Sequence, residues 1–444
     1  MLLVWKSQNI SPGLLTWINL KNFKNKLDPS KYNGAIFLGL NGPVVKSHGG
    51  IDALGFYYSI DLSYKIIKGN LMREIRSNLN HINNWKVCRD LCLDKLLRFF
   101  QKLIWAFTHN VLGWGLSFLK ISTSDGIVGY SEYNESYGSA GVSAVIEKLK
   151  PYVLGAPALG HETLFATLYA VTRQAPGGIN AQALAAIENA LLDIKGKALG
   201  VPCYELFGGK IRDQLPLYWS HCGSYRMNRT TAEMIGRPVL SSLKDLAELG
   251  AEVRGSGYTA LKCNMYRFNN AYPVHSPGFA RRPNTPGAPE LNADTALLSD
   301  LQKQMTALRE GTGNSIDILL DMNFNFKTEG YLRVIRALRE FDLFWYELDV
   351  FNPEALAYIR QQSNETIASC ESLYGHRDFR RYFEAKSMDV AIIDIPWNGA
   401  WQSYKIAAMA DANEVNVAPH NFYGHLCTMM SAHFCAAIPN FRIM

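Results

Sequence analysis

IDILLDMN (316–323), LFWYEL (343–348), TIASCE (366–371), VAIIDI (390–395) and VNVAPH (415–420) are short runs rich in β-branched and aromatic residues, with helix-like stretches between them. Upstream, LPLYWS (215–220) and YTALKCN (258–264) continue the rhythm, and downstream FRIM (441–444) offers one more run. Eight strands alternating with helices predict a TIM-type parallel barrel over residues 213–444. Several runs end on an ionisable side chain: Lys262, Asp321, Glu347, Glu371, Asp394 and His420. From Asp321 onward the intervals are 26, 24, 23 and 26 residues, about one strand-helix unit each, so these groups gather at the carboxyl-end mouth.

Taken singly, an aspartate after a strand is commonly a helix N-cap, and a lone glutamate is commonly solvated. Their phased recurrence points to chemistry instead. Asp321, Glu347 and Glu371 on three consecutive strands, with no cysteine or histidine among them, make a hard oxygen site suited to Mg²⁺ rather than Zn²⁺. Asp394 and His420 end adjacent strands, where the carboxylate can orient the imidazole and raise its basicity.

Before the barrel, two strand-like runs flank Ser124-Asp125-Gly126 and predict a hairpin. In NAQALAAIENALLDIKGKALG (180–200), Leu184, Ile187, Leu191 and Ile194 recur at helical spacing, and Gly200 sits at the C-cap position. These elements form a small α+β domain assigned to 86–212. CRDLCLDKLLRFFQKLIWAF (88–107) has helical periodicity and predicts an amphipathic helix packed on its own protein. Between strands two and three, residues 266–294 form a long Pro-, Asn- and Arg-rich loop, in which Arg267, His275, Arg281 and Arg282 either reach a polyol or anionic substrate or belong to a solvated surface.

The 444 residues, 48% hydrophobic and 19% charged, supply a sizeable core, and no apolar run is long enough for a membrane span. Eight scattered cysteines without a C-x-x-C pair, and no signal-peptide pattern, lead us to expect a reducing, cytoplasmic setting. The net charge of +6 belongs entirely to residues 1–84, with ten Lys and Arg against four Asp and Glu. Lys21, Lys24, Lys26 and Lys31 there have little aromatic interleaving, so no nucleic-acid partner is expected. A homo-oligomer is compatible with the composition.

TSDGIVGYSE (123–132), GGINAQALAAIENALLDIKGKALGVPCYELFGG (177–209), LLDMNFNF (319–326), the glutamate of WYEL (345–348), IASCES (367–372), IIDIPWNG (392–399) and VAPH (417–420) together resemble the enolase superfamily, in its mandelate racemase and muconate lactonizing branch. The resemblance covers about 117–444. It implies an α+β cap on a (β/α)7β barrel, with Mg²⁺ held at Asp321, Glu347 and Glu371 and a His420–Asp394 dyad as base. Racemases and epimerases of this branch also carry K-x-K at the end of strand two. Lys262 matches the first lysine, but Asn264 stands at the second, and an amide cannot accept a proton. The resemblance therefore implies a one-base lyase: a dehydratase acting on a sugar-acid carboxylate, in which His420 removes the α-proton and protonates the departing β-hydroxyl. Lys262 is expected to assist the substrate carboxylate or the metal, and Asn264, Asn323, Tyr423 and His425 are expected near the substrate.

Two departures stand out. The family continues past PNFRIM to a strand-end glutamate and a return segment, so strand eight is expected to be incomplete and the chain weakened there. Residues 1–115 do not resemble the start of the cap. Within them, Gly34, Gly39, Leu40, Gly42, Val45, Lys46, Ser47, His48 and Gly49 resemble the C-terminal end of the phosphate acyltransferases over about 30–80, so 1–85 is set apart as a basic fragment of that kind.

Overall fold

The computed structural model describes residues 116–135, 139–268 and 291–444, with the backbone alone of short strands at 35–37, 44–46, 100–104, 109–111, 114–115 and 274–275. The chain divides into two units, Met1–Lys95 and Leu96–Met444. In the first, Ala35–Phe37 pairs antiparallel with Val44–Lys46. Lys21, Lys24, Lys26, Lys31, Arg281 and Arg282 lie outside the described residues, as does most of the acyltransferase-like segment.

In the second unit, Trp114–Thr123 and Val128–Asn134 form the expected hairpin, with Gly126 at φ 89° in its turn. Phe100–Ile104 is a strand, paired antiparallel with Lys120–Thr123. At these residues it corrects the helix expected over 88–107, the rest of which lies outside the described residues. An open hairpin edge presents unpaired N–H and C=O groups, and satisfying that ladder outweighs helical periodicity in a neighbouring segment. Three helices follow at Val142–Val153, His161–Thr172 and Gly178–Leu199. The last buries Leu184, Ile187, Leu191 and Ile194 and ends on left-handed Gly200. The hairpin meets this helix at Gly129, where an added Cβ would stand 2.2 Å from the Ala190 carbonyl oxygen, so only glycine allows the approach.

Seven parallel strands then run in sequence order around the barrel: Tyr218–Trp219, Ala260–Asn264, Asp317–Asp321, Trp345–Glu347, Ile367–Ser369, Val390–Asp394 and Asn416–His420. Ala260, Leu319, Trp345, Ala368, Val390, Ile392, Ala418 and Ile443 pack as one buried cluster on these strands and the final segment. The eighth position is taken by 440–444, which forms a single bridge, Val417 to Phe441. The segment is nevertheless bonded on both sides. Val417 donates to the Asn440 carbonyl (2.8 Å) and accepts from Arg442 N–H (2.9 Å), while Tyr218 donates to Met444 (2.9 Å) and Met444 to Pro216 (3.0 Å). Strand eight is short, as expected, yet its backbone links strands seven and one.

The cap grips the two helices that follow the strands bearing Asp394 and His420. Glu132 accepts from Gly424 N–H (2.6 Å) and Cys427 N–H (3.0 Å) at the start of helix His425–Ala437. Glu188, fully buried, accepts from Trp401 N–H (3.1 Å), Gln402 N–H (3.4 Å) and the Gln402 amide (3.0 Å) at the start of helix Ala400–Asp411. A carboxylate at a helix N-terminus satisfies orphan donors and meets the positive end of the dipole.

Burial pushes the Glu188 carboxyl up to about 7, against the Gln402 and Trp401 bonds that lower it. The folded chain thus holds this proton more tightly than the unfolded chain. Stability from this group is full at low pH, falls as pH rises from the ordinary carboxylate range to about 7, and is level above; the drop is on the order of 3 kcal/mol. Glu188→Gln cannot titrate. Melting curves of both proteins from pH 4.5 to 8 should therefore show the wild type losing melting temperature relative to the variant as pH rises. Parallel curves would refute the assignment.

Among the described residues no helix is long and apolar enough to cross a membrane. The six described cysteines are free thiols.

Candidate active site

Parallel register sets the mouth. Asp321 pairs with Asn264 on one side and Glu347 on the other, and Asp394 pairs with His420. Because side chains alternate along a strand, Lys262 and Asn264 share the inward face of strand two. A cavity of about 310 Å³ opens there, lined among others by Lys262, Asp321, Asn323, Asp349, Glu371 and His420, with Tyr218, Trp397 and Phe422 as aromatic wall.

Lys262 sits between two of the expected metal ligands, its Nζ 2.9 Å from Glu347 Oε1 and 3.5 Å from Asp321 Oδ2. Trp345 Nε1 donates to the other Glu347 oxygen (3.1 Å), and Asp321 Oδ1 accepts from both the backbone and the amide of Asn323 (2.9 and 2.8 Å). Among the described residues no three Asp, Glu, His or Cys side chains converge as a ready-made metal site in this conformation. The ammonium group takes the position between Asp321 and Glu347 instead.

The donor chemistry still fits a hard divalent cation. Burial raises Asp321, Glu347 and Asp349, and although Lys262 opposes each shift, neighbouring carboxylates add to it. Counting Glu371, four carboxylates gather around the Lys262 ammonium and the His420 imidazole. Burial also works against the charge on Lys262, but Glu347 and its neighbours outweigh burial and hold that amine well above its ordinary value. Such a cluster of carboxyl oxygens, disfavoured as charges without a counter-ion, is the donor set that a hard dication takes.

The dyad is formed. His420 Nδ1 stands 2.6 Å from Asp394 Oδ2, and Nε2 stands 3.5 Å from Glu371 Oε2. Asp394 is 0% exposed, and its other oxygen caps Trp397 N–H (2.8 Å). Burial lowers the His420 imidazole, but Glu371 and Asp394 outweigh burial and raise it to about 9.

The remaining expected residues divide. Asn323 lines the cavity. Asn264 lies buried behind its wall: Oδ1 accepts from Ser224 Oγ (2.8 Å), and Nδ2 faces Asn323 Oδ1 (3.4 Å). Tyr423 is a dyad partner rather than a wall residue, its hydroxyl donating to the same Asp394 oxygen as His420 (2.6 Å). His425 is the exposed first residue of its helix and does not line the cavity. Arg267 is engaged by Asp300 at 3.1 Å. Among the cavity residues that escaped the sequence reading are His221 after strand one and Asp349 two positions beyond Glu347. The strand-end rule used for the other strands, applied to LPLYWSH, points to His221.

Comparison with known proteins agrees with this fold. Residues 245–444 match the family described as enolase C-terminal domain-like, and 108–208 match the mandelate racemase / muconate lactonizing enzyme N-terminal domain. The chain belongs to the mandelate racemase and muconate lactonizing branch of the enolase superfamily. Residues 8–74 match a separate family, fatty acid synthesis protein.

A structure from Burkholderia xenovorans strain LB400, provisionally assigned as an L-alanine-DL-glutamate epimerase and bound to magnesium and fumarate, is 47% identical. It covers 78% of this chain and 85% of its own, with a TM-score of 0.73. D-xylonate dehydratase of Haloferax volcanii is 27% identical over 328 residues, 72% of each chain. D-galactonate dehydratase of Pectobacterium atrosepticum is 28% identical over 319 residues, 71% of this chain and 74% of its own.

Proposed function

We propose that this chain is a magnesium-dependent sugar-acid dehydratase, with 86–212 as its cap, 213–444 as its barrel and 1–85 as an acyltransferase-like appendage. The observation that carries the reading is the His420–Asp394 pair facing a carboxylate cluster, with Asn264 where a second lysine would be needed for two-base racemization. Asp321, Glu347 and Glu371 would hold the cation. When bound, it supplies positive charge to the substrate carboxylate and so lowers the cost of removing the adjacent α-proton.

Asp394 holds the proton on His420 Nδ1, and with Glu371 engaged by the cation its upward pull on the imidazole would be relieved, leaving Nε2 as the basic nitrogen. His420 takes the α-proton, and the β-hydroxyl leaves as water, giving a 2-keto-3-deoxy acid after tautomerization. Lys262 orients the substrate carboxylate, and Asn323 at the cavity wall offers an amide to a substrate hydroxyl.

Incubating the protein with Mg²⁺ and a panel of aldonic and aldaric acids, D-xylonate and D-galactonate included, should yield 2-keto acid. Chelation with EDTA should stop this, and added Mg²⁺ should restore it. The epimerase assignment of the Burkholderia relative supplies the competing reading. Inversion at the α-carbon without elimination, across the panel and amino-acid dipeptides, would favour it.

A further inference from the structure

His221 follows strand one, outside the dyad, and lines the same cavity as His420. Its Nδ1 stands 3.2 Å from Asn264 Oδ1. The orientation of that amide is fixed by its other end, since Nδ2 faces two acceptors, the Asp321 carbonyl (3.5 Å) and Asn323 Oδ1 (3.4 Å). Oδ1 can only accept, so Nδ1 of His221 keeps its proton and the exchangeable proton is carried on Nε2. The ring of Tyr225 flanks the imidazole, with centroids 5.4 Å apart. His221 also holds φ 47°, a left-handed conformation unfavourable for a histidine, and such outliers concentrate at functional sites.

We propose that His221 is a second catalytic residue, the acid that protonates the departing β-hydroxyl, with Asn264 as its positioning residue. The inference rests on the dehydratase reading and divides between two histidines the work assigned above to His420 alone. His420 Nε2 takes the α-proton, and the C–H electron pair passes into the enolate. As the enolate collapses to the Cα=Cβ double bond, the β-C–O bond breaks with its pair on oxygen. That oxygen takes the Nε2 proton of the His221 imidazolium and departs as water. The substrate loses H and OH, His420 gains one proton and His221 loses one. Release of a proton to solvent by one and uptake by the other resets both.

The test compares wild type with His221→Asn and His221→Gln in the full chain. Asparagine suits the left-handed backbone, and melting temperatures guard against a folding defect in either variant. Substrates are the aldonic acid of the panel dehydrated fastest and its 3-deoxy-3-fluoro analogue, whose fluoride leaves without needing a full proton. Loss of water elimination by on the order of 10²–10⁴-fold, with α-deuterium exchange retained and fluoride release much less affected, is the expected result. Equal loss on both substrates, or no loss on either, overturns the role of His221 while the dehydratase reading stands. If the wild type eliminates neither water nor fluoride from any substrate, the dehydratase reading fails and the role of His221 with it.

Discussion

His420→Asn is expected to abolish α-deuterium incorporation and elimination together, a loss on the order of 10²–10⁴ in kcat. The variant keeps a side chain that can donate to Asp394, so the 2.6 Å contact has a replacement and the buried carboxylate is not left bare. What disappears is the basic nitrogen. Lys262 cannot easily take over, because its ammonium is held in the charged form by Glu347 and its neighbours, and a protonated amine accepts nothing. Lys262→Met should accordingly retain measurable exchange while weakening substrate binding. Exchange that persists in His420→Asn and vanishes in Lys262→Met would move the base to Lys262.

The mouth was legible because its signal is arithmetic. A barrel spends a near-constant number of residues per strand-helix unit, so Asp321, Glu347, Glu371, Asp394 and His420 announced their common face by spacing alone. The dyad followed from two adjacent strand ends. Less legible were facts decided by rotamers and by tertiary pairing. Nothing in the order of residues says that Tyr423 turns toward Asp394, or that Asn264 faces His221 and Ser224 instead of the cavity. Phe100–Ile104 shows helical spacing in one dimension and joins a sheet in three. Asp349 was hidden beside Glu347 because two carboxylates so close in sequence read as one strand end.

The metal ligands make the second large prediction, and here charge bookkeeping gives two variants of opposite sign. Glu347 is 3% exposed and shares Lys262 with Asp321, so Glu347→Gln removes one anionic ligand and leaves the ammonium concentrated on Asp321. Both changes oppose a cation. Calorimetric titration with Mg²⁺ should show affinity reduced on the order of 100-fold, the upper end of what outer-sphere changes around a metal typically cost. Lys262→Met acts the other way. It removes the positive charge that sits between Asp321 and Glu347, and the carboxylates at the mouth then attract the dication without that ammonium competing. Affinity should rise, on the order of tenfold, even though the same variant handles substrate poorly. Unchanged affinity in Glu347→Gln would take Glu347 out of the metal site. A fall in Lys262→Met would mean that the lysine supports the cation's ligands in place rather than competing for them, and that the ion pair at 2.9 Å persists when the cation is bound.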